Sequence, residues 1–183
     1  MGGHNLSVLT YVLGPLSSVS ATSTQLFGDI TVVDDVNFVP TGETVKNLSD
    51  DQYSYSGVLK NSGAILTVVM RGGITTSQET DNDKPTFIWL IDGDKGYIRV
   101  EATGARGSHI YIGLPVKVVL NGEVIDVSAE QNLPSIIGKS FEEFAKGPGE
   151  GIYPSFDDAV KVHKHVEAII QSAKEGRRVD IHL

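Results

Sequence analysis

The amino-acid sequence predicts an α+β domain, in which a mostly antiparallel, open sheet of about six or more strands carries helices on one face. Three observations support this fold class. Strand-like segments follow one another between residues 53 and 127, short turns join most of them, and amphipathic helical segments lie at the two ends of the chain. Because no helical segments alternate with the strands, a doubly wound parallel sheet is excluded.

The length of 183 residues allows one domain with its own core, and we expect residues 1–183 to form that single domain. The net charge of −8 disfavours direct contact with nucleic acid, because phosphates are held by Lys and Arg. The absence of cysteine excludes disulfides and thiol nucleophiles. Neither a signal peptide nor a membrane-spanning segment is recognisable, so we expect a soluble cytoplasmic protein.

The first element is a predicted helix over residues 2–13, which the Gly14-Pro15 pair ends. Its apolar stripe consists of three leucines, namely Leu6, Leu9 and Leu13. His4 lies one turn before Val8, and we therefore expect it at the N-terminal edge of the buried face. A strand over residues 16–22 is predicted to follow.

Residues 25–51 carry only short apolar fragments, and we interpret them as a long excursion with one short strand. The pattern then becomes strongly β, because tyrosines alternate with serines over residues 53–59. A turn at 61–63 and a β-branched run at 64–70 complete a hairpin. The remaining predicted strands cover residues 87–91, 97–101, 109–112, 116–120 and 124–127.

The last helix is the best defined element. Ser155 is its predicted N-cap, acidic residues occupy its first turn and Gly176 ends it. Its predicted apolar stripe consists of Ala159, Val162, Val166, Ile169 and Ala173. We expect His163 to pack beside this stripe and His165 to face solvent. A shorter helix over 140–146 precedes it, and a short strand over 179–181 follows.

His4 is the candidate catalytic residue, since it is the histidine at which a helix start, a glycine pair and an apolar face meet. The helix dipole favours a neutral imidazole there, which can exchange protons as a general acid or base. The alternative is a histidine that merely caps a frayed terminus. His163 and His165 lie about 200° apart around their helix and cannot share a metal ion, so no metal site is expected.

Glycine-rich segments offer no nucleotide-binding motif. Residues 147–151 lack the Lys-Ser/Thr of a phosphate loop, and no strand is followed by Gly-x-Gly-x-x-Gly and a helix. We therefore expect this chain alone to bind no dinucleotide cofactor.

Three segments, residues 3–11, 57–73 and 153–163, resemble the C-terminal domain of the glucose–fructose oxidoreductase, inositol dehydrogenase and MocA (Gfo/Idh/MocA) family. Within that family the chain is most similar to the fungal, galactose-repressor-like branch. The resemblance implies the open-sheet fold of a dihydrodipicolinate-reductase-like C-terminal domain. It also implies that a full-length parent carries an N-terminal nucleotide-binding domain for NAD(P), which is absent from this chain.

The resemblance also implies a role for His4, which lies where the family places a catalytic histidine. The family's catalytic lysine and aspartate would precede Met1. The family often has His-x-x-Asp, whereas this chain has His4-Asn5-Leu6-Ser7, and this departure puts dehydrogenase activity in doubt.

Two functions follow from the resemblance. The chain is either the substrate-pocket and oligomerisation domain of an NAD(P)-dependent oxidoreductase, inactive alone, or a non-catalytic, galactose-repressor-like sensor that binds partner proteins, for which a nuclear location is open. The implied substrate is a small sugar or polyol. We expect a homo-oligomer through the open sheet face, because a one-sided sheet leaves apolar surface that needs cover.

Overall fold

The structure is a computed structural model that describes residues 2–36, 39–72, 85–103, 116–128 and 133–183. These residues form three helices, α1 (Gly2–Leu13), α2 (Leu133–Ala145) and α3 (Phe156–Glu175). The first five strands are β1 (Leu16–Thr24), β2 (Asp29–Val33), β3 (Pro40–Lys46), β4 (Gln52–Leu59) and β5 (Ile65–Arg71). The others are β6 (Pro85–Gly93), β7 (Gly96–Thr103), β8 (Lys117–Leu120), β9 (Glu123–Ile125) and β10 (Val179–Asp180). All strand pairs are antiparallel, which confirms the predicted α+β class.

The first sheet has the strand order β10-β1-β4-β5 and belongs to one of two compact units. Its strands alternate as the serine and tyrosine pattern predicts, so that cross-strand neighbours such as Ala21, Tyr55 and Val68 lie on one face. The opposite side of the sheet, which we call the open face, carries mainly hydroxyl groups. It consists of Ser20, Thr22, Ser54, Ser56, Ile65, Thr67 and Val69.

Helices α1 and α3 cover the apolar face of this sheet and complete a core. The buried members of the core are Leu6, Leu16, Val19, Tyr55, Leu59, Ala168, Ile169, Val179 and Ile181. Helix α3 is also tied to β1 by polar contacts. The Ser172 hydroxyl, itself fully buried, accepts a hydrogen bond from the Ala21 N–H at 2.9 Å and donates one to the Arg177 carbonyl at 2.6 Å.

Helix α3 begins as predicted. The Ser155 hydroxyl accepts the Asp158 N–H at 3.2 Å, and the Asp158 carboxylate accepts the Ser155 N–H at 3.0 Å, which is the reciprocal capping arrangement. The helix ends at Gly176, whose φ of +65° and N–H bond to the Ser172 carbonyl are those of a glycine cap.

The predicted buried stripe of α3 is partly wrong. Ala159 and His163 are exposed, whereas His165 is buried together with Ala168 and Ile169. The predicted stripe followed apolar side chains only. The helix instead turns a histidine inward, because two backbone groups satisfy its ring nitrogens.

Strands β2 and β3 form a two-stranded hairpin, where only one short strand was predicted. All residues of β3 are exposed, so the hairpin has no core of its own. Its base is held by the Asp51 carboxylate, which accepts the N–H groups of Leu26 and Phe27 at 3.0 and 2.9 Å. The Asn47 side chain joins the same base, donating to Phe27 and Asp51.

The second compact unit contains a four-stranded sheet of order β6-β7-β8-β9. Phe87 and Ala102 are buried there, and the rings of Phe87 and Trp89 lie 5.4 Å apart on the same face. The Asn121-Gly122 turn forms as predicted, with Asn121 at φ +50°. The predicted strand over 109–112 lies outside the described residues.

Helix α2 is longer than the predicted helix over 140–146. It starts at Leu133, before two residues that weaken a helix prediction, Pro134 and Gly138. Pro134 lies in the first turn, where the missing N–H has no intrahelical partner to lose, and it is therefore tolerated.

Candidate functional site

His4 lies in the first turn of α1 and its side chain is exposed. Leu6 and Leu9 face the core as predicted, whereas Val8 is more than a third exposed and Tyr11 is 76% exposed. His4 is therefore not at the edge of the buried face. Residues 4, 8 and 11 share one side of the helix, because four and seven residues are close to one and two helical turns.

The chemistry available to His4 is proton exchange. An exposed imidazole at a helix N-terminus can hydrogen-bond to a substrate hydroxyl and exchange a proton with it. Ser7, one turn later, is half-buried, and its carbonyl accepts the Thr10 hydroxyl at 3.2 Å. The Ser7 side chain carries no charge.

The junction that follows α1 is fixed by three backbone contacts. Gly14 adopts φ +91° and donates to the Thr10 carbonyl at 3.0 Å, which ends the helix. The Pro15 carbonyl accepts the Lys60 N–H at 2.8 Å. The Leu16 N–H donates to Nε2 of His165 at 3.0 Å. Sequence reasoning missed this role of His165: its spacing from Ala168 and Ile169 indicates burial, but nothing local indicates the bond to Leu16.

A polar depression of about 330 Å³ lies at one end of the first sheet. Hydroxyl side chains from β1, β4 and α3 line it together with Arg177 and Arg178. Both guanidinium groups already have partners, since Arg177 pairs with Glu175 at 2.6 Å and Arg178 donates to the Ser18 hydroxyl. His4 is not among the lining residues, so the candidate residue and this depression are separate features.

No group of three or more His, Asp or Glu side chains in the described ranges is arranged to hold a metal ion. The expected exposure of the two α3 histidines was wrong, because His163 is exposed and His165 is buried. None of the three described helices combines the length and the apolar composition that a membrane span requires.

The chain was compared with known protein families and structures. Residues 1–102, which run from α1 through most of β7, match the family model described as the Gal80p C-terminal domain. The chain belongs to the Gal80p C-terminal domain family. The family match includes His4 and the junction after α1, and it confirms the predicted galactose-repressor-like branch.

This Gal80p-like domain is similar in sequence to a protein named as a dehydrogenase, and it shares its fold with a regulator and an oxidoreductase. A protein named dehydrogenase aclE from Aspergillus oryzae is 25% identical over 182 residues, which are 96% of this chain and 46% of that protein. The transcriptional regulator Gal80p from Kluyveromyces lactis superposes with a TM-score of 0.74 at 20% identity, covering 98% of this chain and 46% of the regulator. An NAD-binding oxidoreductase from Klebsiella pneumoniae superposes with a TM-score of 0.61 at 15% identity, covering 100% and 49%. The Gal80p-like chain thus spans about half the length of these relatives.

Proposed function

We propose that this chain is the substrate-pocket and assembly half of an NAD(P)-dependent, Gfo/Idh/MocA-like oxidoreductase whose substrate is a small sugar or polyol. The observation that carries the proposal is the alignment of 96% of the chain with 46% of a dehydrogenase. NAD(P) belongs to a separate nucleotide-binding domain of the parent. The chain alone is proposed to be inactive, because it contains no phosphate-binding glycine motif.

His4 is the proposed proton-exchanging residue of the parent site. Its exposure on the first turn of α1 leaves the imidazole accessible to a substrate hydroxyl. Its partners in the family, a lysine and an aspartate, would come from the sequence that precedes Met1 in a parent protein. In such a parent, His4→Ala is expected to lower kcat by about 10²- to 10⁴-fold, the usual range for loss of a general acid or base.

A fluorescence titration with NADH and NADPH tests the cofactor assignment. We expect no saturable quenching or energy transfer from the single tryptophan when either cofactor is added to the isolated chain. Micromolar binding would contradict the proposal that the cofactor belongs to another domain. Denatured chain serves as the control for inner-filter loss of signal.

The assembly role is proposed for the open face of the first sheet. Ile65 and Val69 are 77% and 66% exposed there, beside rows of small hydroxyl side chains. Exposed β-branched side chains among small hydroxyl groups suit a two-fold contact between copies. The chain is expected to be a dimer by light scattering, and Val69→Lys to be a monomer.

Val36→Lys, at a residue of the β2–β3 hairpin segment that is also exposed, is the matched control and should leave the dimer unchanged. A wild-type chain that remains monomeric at high concentration would refute the assembly role. If both lysine variants dimerise, the contact lies elsewhere.

The second candidate function is a non-catalytic regulator that binds partner proteins, as the name of the Kluyveromyces relative describes that protein. The observation that favours it is Ser7, which stands where the enzymes often carry an aspartate. The coding sequence upstream of Met1 separates the two functions. Gly-x-Gly-x-x-Gly followed by Glu-Lys-Pro and an aspartate favours the enzyme, whereas a nucleotide fold without that lysine favours the regulator. A cytoplasmic location fits the first and a nuclear one the second.

A further inference from the structure

His165 is almost completely buried, with 1% of its surface exposed. Its two ring nitrogens meet two backbone groups of opposite kind. Nε2 accepts the Leu16 N–H at 3.0 Å, and Nδ1 lies 2.6 Å from the Lys161 carbonyl oxygen. A carbonyl can only accept and an N–H can only donate, so the proton of the neutral ring is on Nδ1. The contacts therefore select one tautomer of the uncharged imidazole.

The Leu16 N–H depends on this contact. Leu16 is fully buried, and β10 pairs with β1 only at Ser18 and Val19. The register of β1 against β4 is irregular between Leu16 and Ser18, so regular pairing ends next to this amide. A buried N–H without an acceptor is costly, and the His165 ring supplies the acceptor from a residue 149 positions away.

We propose that His165 is an acid-sensitive latch between α3 and the junction of α1 and β1. Uptake of one proton from solvent at Nε2 converts the acceptor into a donor. Two N–H groups then face each other across 3.0 Å, and a positive charge is placed where the ring has almost no contact with water. Acidification therefore releases the start of β1 from α3, whereas at neutral pH the latch is closed.

The charged groups around His165 are of both signs and lie at exposed positions, where water screens them. Helix α1 contributes two ionisable side chains, His4 and Tyr11, and both are exposed. On α3, Lys161 and Lys164 carry positive charge and Glu167 negative charge, all on exposed positions. Strand β1 has no ionisable side chain. From β4, Tyr55 stays neutral throughout, because burial raises the pKa of its hydroxyl to about 12.

Three more ionisable residues lie on neighbouring segments. Lys60 follows β4, and Asp180 and His182 lie in and after β10. All three side chains are exposed, so water screens them. Among the described residues no carboxylate is hydrogen-bonded to the His165 ring, whose two nitrogens both contact backbone groups. After protonation the Nδ1–H bond to the Lys161 carbonyl persists, whereas the contact of Nε2 with the Leu16 N–H cannot.

Urea unfolding of the full chain between pH 8 and pH 5.5 tests the latch. In the pH range where the unfolded chain binds one proton more than the folded chain, the unfolding equilibrium constant rises up to about tenfold for each unit by which the pH is lowered. The wild type should show this rise towards acid. His165→Gln should not, because a glutamine oxygen can accept the Leu16 N–H and does not titrate in this window.

His163→Gln is the matched control, two residues away on an exposed position, and should follow the wild type. Equal acid sensitivity in His165→Gln and wild type would overturn the proposal. Should His165→Gln fail to fold, imidazole ¹⁵N chemical shifts of the wild type decide the question. A neutral ring protonated on Nδ1, persisting at a pH where the exposed histidines are charged, supports the latch. A ring that charges together with them in the folded chain, or a proton on Nε2, refutes it.

Discussion

The two four-stranded sheets share an antiparallel topology but differ in how their apolar side chains are covered. In the first sheet, α1 and α3 cover one face, and the buried core includes residues of β1, β4 and β10. In the second, Phe87 and Ala102 are the buried side chains of the described strands, while Ile88 and Leu90 stay more than half exposed. Both sheets have alternating apolar and polar residues. A buried core forms on the sheet face that helices cover.

Because the two sheets differ in how their apolar side chains are covered, substitutions in them should have different consequences. The first uses its apolar side chains to hold the chain together, so a substitution on its covered face affects folding. The second leaves apolar side chains in contact with solvent, so a substitution there affects what that surface can bind more than whether the strands form.

The largest expected effect compares two leucines that differ in burial. Leu16 is fully buried in the first sheet, and Leu16→Ala should lower the free energy of unfolding by about 2–5 kcal/mol, because it leaves a cavity. Leu90 of the second sheet is 61% exposed, and Leu90→Ala should change that free energy by less than about 0.5 kcal/mol. Urea unfolding measures both, and similar losses in the two variants would show that the second sheet has a core of comparable weight.

Two glycine-to-alanine substitutions should change the stability by smaller amounts, and in opposite directions. A Cβ at Gly57 in β4 would lie 2.6 Å from the Ser18 carbonyl oxygen and 2.8 Å from a Leu16 methyl group, so Gly57→Ala should cost about 1–3 kcal/mol by overpacking. Gly138 in α2 has open space around it, and Gly138→Ala should stabilise the helix by about 0.5–1 kcal/mol. Thermal unfolding should therefore shift in opposite directions, and a stabilising Gly57→Ala would be inconsistent with the close packing of β1 on β4.

The smallest expected effect is on the stability of the β2–β3 hairpin. Polar contacts hold the base of this hairpin, whereas apolar contacts stabilise the first sheet. Partial desolvation opposes the charge on Asp51, but hydrogen bonds from Phe27, Leu26, Gln52 and Asn47 outweigh it and hold the pKa of the carboxyl below its usual value. A lowered pKa in the folded state means that the contribution is complete at neutral pH and is lost as the pH falls through the lowered value.

Amide exchange of Leu26 and Phe27 reads this contribution directly. Protection factors in the wild type should fall on acidification below about pH 4, the ordinary aspartate range. Asp51→Asn should show low protection already at neutral pH. Asp50→Asn, the neighbouring carboxylate that accepts the Ser23 hydroxyl, is the control. Unchanged protection in Asp51→Asn would mean that the hairpin is held by something other than this carboxylate.

The sequence predicted those elements whose signal is local. The alternating tyrosines and serines of β4, the Ser155 cap of α3 and the Asn121-Gly122 turn each depend on residues within a few positions of one another. The hairpin of β2 and β3 was missed, because the Asp51 carboxylate that holds its base lies outside both strands.

The candidate site shows the same limit. Helix α1 follows from a short pattern, whereas the expected position of His4 at the edge of the buried face was wrong, because its side chain is exposed. The role of His165 could not be predicted, because its partner is Leu16, 149 residues away, and a histidine within an apolar stripe usually reads as a break in it. A hydrogen bond between a side chain and one backbone group far away in the sequence leaves no recognisable pattern in the sequence.

The Ser172 hydroxyl gives the first sheet a property that neither its strands nor its core supplies. Strand β10 ends after two residues, and beyond it β1 would offer a free edge to any extended peptide. The helix hydroxyl occupies the Ala21 N–H at that edge, and the turn after α3 lies beside it. The Ser172 side chain thus takes the place of a neighbouring strand at Ala21. It reduces the number of free β1 backbone groups to which a strand of another chain could pair.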